Sequence, residues 1–167
     1  MIYYITGGAR SGKSSYAMKM ALGLSGNPVY VATARRWDGG FENRIKRHEE
    51  DRDDRWETME EALEVSKLNL ENRVVVIDCV TLWLTNFFVD FRQDIPKCLD
   101  AFKEEMDKLR TKNATIIIVS NEIGMGVHAE TETGRKFTDL QGWANQYVAE
   151  IADKAFLLVS GMPVTLK

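Results

Sequence analysis

Cysteine, proline and long apolar runs are all scarce in this chain of 167 residues. Its two cysteines, Cys79 and Cys98, lie far apart and outside any CxxC spacing, so neither a disulfide framework nor a zinc site is suggested. No stretch approaches the roughly 20 apolar residues of a membrane span. Met1 runs directly into the strand-like IYYIT, without a basic leader or a cleavage site, and the sequence reads as cytoplasmic. Positive charge is not in surplus either. Against 22 Lys and Arg stand 25 Asp and Glu, a formal net charge of -3, whereas a nucleic-acid binder needs the opposite balance. With three prolines, no low-complexity tract and no obvious linker, the chain is expected to form one domain over residues 1–167, with small molecules as partners.

What is present is an alternation of apolar runs and helical patterns. Residues 2–6, 29–33, 74–78, 115–120 and 155–160 are short, nearly continuous apolar runs, the form taken by strands buried on both faces. Helical patterns fall between them at 13–24, 62–70, 81–91, 95–112 and 135–153, and Gly161-Met-Pro163 marks a turn into a last short strand. Strands joined by helical crossovers make a largely parallel sheet.

The strongest motif is Gly7-Gly8-Ala9-Arg10-Ser11-Gly12-Lys13-Ser14, a match to GxxxxGK[ST] placed between a predicted strand and a predicted helix. Gly7 and Gly12 permit a backbone whose N–H groups point inward, so loop and helix N-terminus together favour bound phosphate. Lys13 is expected to reach the β- and γ-phosphates, and Ser14 to offer its hydroxyl to Mg²⁺, which takes few protein ligands beside phosphates and water. The expected fold is therefore α/β: a P-loop NTPase (RecA-like) three-layer arrangement with a mostly parallel central sheet.

Two acids follow strands at the edge where parallel sheets bind ligands. Asp78 ends VVVID and is a candidate Mg²⁺ ligand of Walker-B type, or alternatively the cap of the next helix. Glu122, in Ser120-Asn-Glu-Ile-Gly124, has the same two kinds of reading, rim acid or solvated loop acid. Between residues 42 and 54 the chain reads ENRIKRHEEDRDD, polar around nearly the whole helical circumference. It is either a solvated surface element or a reactive one. In the second reading His48 is a nucleophile toward phosphorus, with Arg44 and Arg52 on the same helical face at i−4 and i+4 to neutralise phosphate oxygens.

The P-loop GGARSGKS, the segment Arg44-Ile-x-x-His48-x-x-x-Arg52-x-x-x-Trp56-x-Thr58-x-Glu60 and the later Asn121-Glu-x-Gly-x-Gly126 together resemble the bifunctional adenosylcobinamide kinase / adenosylcobinamide-phosphate guanylyltransferase family. Further likeness in Thr85-Asn86, Arg135-x-Phe-x-Asp139, Gly142-x-x-Asn145-Gln146, Ala152-Asp153 and Val159-x-Gly161 extends it over essentially the whole chain. The resemblance implies two reactions. In one, the γ-phosphate of ATP or GTP passes to the aminopropanol hydroxyl of adenosylcobinamide. In the other, His48 attacks the α-phosphorus of GTP, holds GMP as a phosphoramidate and yields it to adenosylcobinamide phosphate, giving adenosylcobinamide-GDP. It also implies that Lys13 and Asp78 act with His48 in catalysis. Ala32, Thr33, Ala34, Glu49, Glu50, Asp51, Arg52, Glu60 and Leu82 fall where the family contacts guanine nucleotide. Glu60 suits the guanine N1 and N2 donors, although from sequence alone a helix N-terminal acid is an equal reading. The family likeness also implies a homo-oligomer, a trimer, in which Trp83, Phe87, Phe88 and Phe91 would pack either between subunits or in the core. A proline common after the NExGxG segment is absent here, and His128 stands nearby without a role. Two rival readings remain: a P-loop small-molecule kinase without guanylyltransferase activity, and a nucleotide-gated binding module.

Overall fold

The computed structural model describes residues 1–35 and 52–167. Among them the strands are β1 (Ile2–Gly7), β2 (Val29–Ala32), β3 (Glu57–Glu60), β4 (Val74–Asp78), β5 (Thr115–Val119), β6 (Lys154–Val159) and β7 (Met162–Thr165). The helices are α1 (Lys13–Leu24), α2 (Val80–Asp90), α3 (Ile95–Arg110) and α4 (Glu132–Ile151). The strands form one sheet in the order β3-β2-β4-β5-β1-β6-β7, parallel throughout except for β7. The P-loop strand β1 and the Asp78 strand β4 are thus separated by one strand, β5, as the RecA-like expectation requires.

Strand alternation splits the core into two layers. Ile2, Tyr4, Val31, Ile77 and Ile118 turn to one face and pack with Trp83, Phe102, Met106, Leu140 and Val148 of α2, α3 and α4. Ile5, Tyr30, Val76, Ile117 and Val119 turn to the other, where Ala17 and Ala21 of α1 cover them. The small alanines let α1 lie close to the sheet. Trp83 is fully buried, and Phe87 and Phe88 are 5% and 7% exposed, so these aromatics belong to the core and not to a subunit contact.

Two expectations fail locally. The helix expected over 62–70 is only a 3₁₀ turn, Val65–Lys67. Its backbone is held by distant partners instead: Trp83 Nε1 donates to Leu63 O at 3.0 Å, Asn86 Nδ2 to Ala62 O at 2.8 Å, and Ser66 N–H to Glu105 Oε2 at 2.9 Å. Carbonyls and amides committed to α2 and α3 are not available for an i→i−4 ladder. The strand Glu57–Glu60 went unrecognised because E-T-M-E has no apolar alternation, three of its four residues being exposed on the sheet edge. Glu60 accordingly ends a strand and does not open a helix.

The last two strands form a hairpin through Ser160 and Gly161, at φ 52° and 81°, the sign of φ that the tight right-twisted hairpin turn demands.

Candidate active site

Two glycines shape the P-loop. β1 ends at Gly7, φ 149°, where a Cβ would lie 2.5 Å from Leu158 O and 2.8 Å from Ser11 Oγ. Gly12 caps α1 at φ 94°, and a Cβ there would stand 3.1 Å from Gly161 Cα. The loop is tied on both sides: Glu122 N–H donates to Gly7 O at 3.1 Å, and Gly161 N–H to Ser11 O at 2.9 Å. The β5 exit and the β6–β7 hairpin therefore hold the loop that leads into α1, whose N-terminus favours anions. Gly8, Ala9 and Arg10 are exposed, and Ser11, Gly12 and Ser14 half-buried. Lys13 is 7% exposed and runs along the loop, its Nζ donating to Gly8 O at 2.5 Å and to Ser11 Oγ at 3.4 Å.

Register places the second group of residues. Ala32 pairs with Glu60 on one side and Asp78 on the other, so the ends of β3, β2 and β4 stand side by side at the carboxyl edge of the sheet. Asp78 does not cap α2. That helix starts from Cys79 with no side-chain cap, while Asp78 Oδ2 accepts from the Tyr30 hydroxyl at 2.8 Å. The Tyr30 phenol is held far above its ordinary pKa by burial first and by the Asp78 charge second, and stays a donor. Arg52 lays its guanidinium over the Tyr30 ring, 4.0 Å from the centroid, and Trp56 meets the same ring edge-on at 6.2 Å. The described end of the charged segment thus sits beside the Asp78 carboxylate. Thr33 is buried, donating its hydroxyl to Cys79 O at 3.0 Å, and its carbonyl accepts from Asn86 Nδ2 at 2.7 Å. Ala34 is half-buried, and Leu82 packs with Tyr30, Val76 and Cys79 under this turn.

Glu122 is half-buried and hydrogen-bonded. Its Oε1 accepts from Thr6 Oγ1 at 2.6 Å and from Asn145 Nδ2 at 3.0 Å. Behind it Ser120 Oγ donates to Asn145 Oδ1 at 2.6 Å, and Gln141 Nε2 donates to both. Thr6 and Tyr30 were missed in the sequence reading. A signal exists for Thr6, a hydroxyl closing an apolar strand, whereas Tyr30 reads as core until the β2–β4 register is known.

Ser14 and Asp78 are the described residues that could hold a divalent cation. Hydroxyl and carboxylate are both hard oxygen donors, the type Mg²⁺ takes. Among the described residues no three Asp, Glu, His or Cys converge on one point. His48, Glu49, Glu50 and Asp51 lie outside the described residues. His128 is exposed in the loop before α4.

A family model described as cobinamide kinase / cobinamide phosphate guanyltransferase matches residues 3–166. The bifunctional adenosylcobalamin biosynthesis protein CobP of Pseudomonas aeruginosa is 39% identical, over 98% of this chain and 95% of its own. The bifunctional adenosylcobalamin biosynthesis protein CobU of Escherichia coli is 33% identical over the full length of both. Its counterpart in Salmonella typhimurium is 32% identical, again over both full lengths. Among solved structures the ATPase domain of G40P is a looser likeness, with TM-score 0.45 and 13% identity over 93% of this chain and 68% of that one.

Proposed function

Because this chain belongs to the cobinamide kinase / cobinamide phosphate guanyltransferase family, we propose a division of its chemistry between the P-loop and the charged segment. The protein is a bifunctional transferase of cobalamin biosynthesis: it phosphorylates adenosylcobinamide from ATP or GTP, then joins GMP from GTP to the new phosphate. The observation that carries this is the match over residues 3–166, coupled to a P-loop braced at Gly7 and Ser11 by bonds to neighbouring elements.

In the kinase step the loop N–H groups and Lys13 cradle the phosphates, Lys13 exchanging its bonds to Gly8 O and Ser11 Oγ for phosphate oxygens. Ser14 and Asp78 would hold Mg²⁺, which when bound neutralises charge on the β- and γ-phosphates. Tyr30 keeps one Asp78 oxygen fixed.

In the guanylyl step His48 attacks the α-phosphorus of GTP, pyrophosphate leaves, and GMP rests on the imidazole. The acceptor phosphate then attacks the same phosphorus and His48 is released. Two displacements replace one, as in other nucleophilic catalysis. Arg52, seated over Tyr30, supplies positive charge next to this segment, and Ala32, Ala34, Glu60 and Leu82 line the nucleotide side, Glu60 accepting from guanine. Glu49, Glu50 and Asp51 belong to the same nucleotide site in this reading. A cytoplasmic homo-oligomer, a trimer by family likeness, completes it, and sedimentation equilibrium measures that assembly. Among the described residues no helix is long and apolar enough to cross a membrane.

The test is incubation with Mg²⁺ and GTP labelled on the α-phosphate, followed by denaturation and intact-mass analysis of wild type and His48→Asn. An acid-labile GMP adduct on wild type that is lost in His48→Asn is the expected result. An unlabelled wild type would leave a kinase without the covalent transfer step.

A further inference from the structure

Glu122 is supported more heavily than a loop acid needs to be. It is fixed to the first P-loop residue through its own N–H, and its Oε1 takes two donors, Thr6 Oγ1 at 2.6 Å and Asn145 Nδ2 at 3.0 Å. The support is itself buried: Thr6, Ser120, Gln141 and Asn145 are all 6% exposed or less. The Tyr4 hydroxyl is buried beside them with no hydrogen-bond partner, and burial first and the Glu122 charge after it hold the phenol well above its ordinary pKa, against the opposing effect of Thr6. Two donors on one oxygen fix the plane of the group. Oε2, by contrast, has no hydrogen bond among the described residues. Next to the phosphate loop, then, stands a carboxylate whose Oε1 is fixed and whose Oε2 has no hydrogen bond among the described residues, while Asp78, on the neighbouring strand β4, is bonded through Oδ2 to Tyr30.

We propose that Glu122 is the proton acceptor of the kinase half-reaction. Its Oε2 takes the proton of the acceptor hydroxyl as that oxygen bonds to the γ-phosphorus and the bond from phosphorus to the departing nucleoside diphosphate breaks. The proton then leaves from Glu122 to solvent. Phosphoryl transfer to an alcohol elsewhere uses a carboxylate in this role, and general bases of this kind contribute about a hundredfold or more. The guanylyl step needs no such group, because a neutral imidazole attacks with its own lone pair. The assignment rests on the kinase reading given above.

Glu122→Gln tests it, since the amide oxygen can still accept from Thr6 and Asn145 but the side chain cannot take a proton. With Mg²⁺-ATP and cobinamide, kcat of the variant should fall about a hundredfold or more, with both KM values and the half-saturating Mg²⁺ within about twofold of wild type. The GMP adduct from labelled GTP should form at the wild-type level. Thr6→Val, which keeps the carboxylate but removes its 2.6 Å bond, should lower kcat about tenfold at unchanged KM. Unchanged kcat in both variants would overturn the assignment. A shifted Mg²⁺ requirement would also overturn it, in favour of a metal role, and loss of the adduct together with a lowered unfolding midpoint would reduce Glu122 to a structural part. Wild type that phosphorylates no cobinamide would sink the underlying kinase reading and this assignment with it.

Discussion

Gly7 and Gly8 adjoin in sequence, yet their surroundings differ completely. At Gly7 a Cβ meets a main-chain carbonyl of β6 at 2.5 Å and φ is positive, whereas nothing lies within 4 Å of a Cβ on Gly8. Gly7→Ala should therefore cost roughly 1–3 kcal/mol in strain alone and displace the loop, while Gly8→Ala should stay within about 0.5 kcal/mol of wild type in a urea titration. Equal losses would show that the loop relaxes away from β6. The motif spacing specifies Gly7 and leaves Gly8 open, and the steric reason for that difference follows from β1–β6 pairing. The same holds for Asp78, where the sequence leaves metal ligand and helix cap open, and the Tyr30 bond with an uncapped α2 removes the cap.

Helices here start with different devices. α3 opens with Asp94, whose side chain accepts from Lys97 N–H at 3.2 Å, and α4 with Thr131, whose hydroxyl accepts from Gly134 N–H at 3.0 Å. Asp94→Ala and Thr131→Ala should each lower stability by about 1 kcal/mol in denaturant unfolding, since each leaves a helix-end donor without its partner. α4 also carries Gln141 and Asn145, so loss of its cap at constant kcat would separate helix stability from Glu122 support. α1 needs no such cap: it begins at Gly12, where side-chain capping would compete with phosphate. Helix positions were readable because apolar spacing and caps are local; the 62–70 segment was misread because its bonds run to Trp83, Asn86 and Glu105.

The whole molecule buries several groups that must stay protonated. Burial pushes the Cys79 thiol from 9.0 up to about 12, with the Asp78 charge adding to it, and burial likewise raises Cys98 to about 11. Tyr147 is raised to about 12 by burial and by its bond to Asp107. Below about pH 9 these groups are protonated whether folded or unfolded, and their contribution is constant. Above it the unfolded chain loses protons first and binds fewer than the folded one, so stability falls as pH rises, continuing to about pH 12. Urea midpoints measured from pH 7 to pH 11 should decline above pH 9, and Cys79→Ser with Cys98→Ala should flatten part of that decline. A midpoint independent of pH would mean the unfolded state shields these groups equally.

The sequence by itself determined the class of protein, the phosphate loop, the strand that ends in Asp78 and the family, because each is written in residues near one another along the chain. It also marked His48, Glu49, Glu50 and Asp51, which lie outside the described residues. The tertiary structure alone decided that Glu60, Ala32 and Asp78 share one edge, that Arg52 rests on Tyr30, and that Glu122 is held by Thr6 and Asn145. These contacts join residues 22 to 116 positions apart, or strands whose register is set by the packing of the whole sheet. Local propensity carries no record of that register; burial of both sheet faces fixes it.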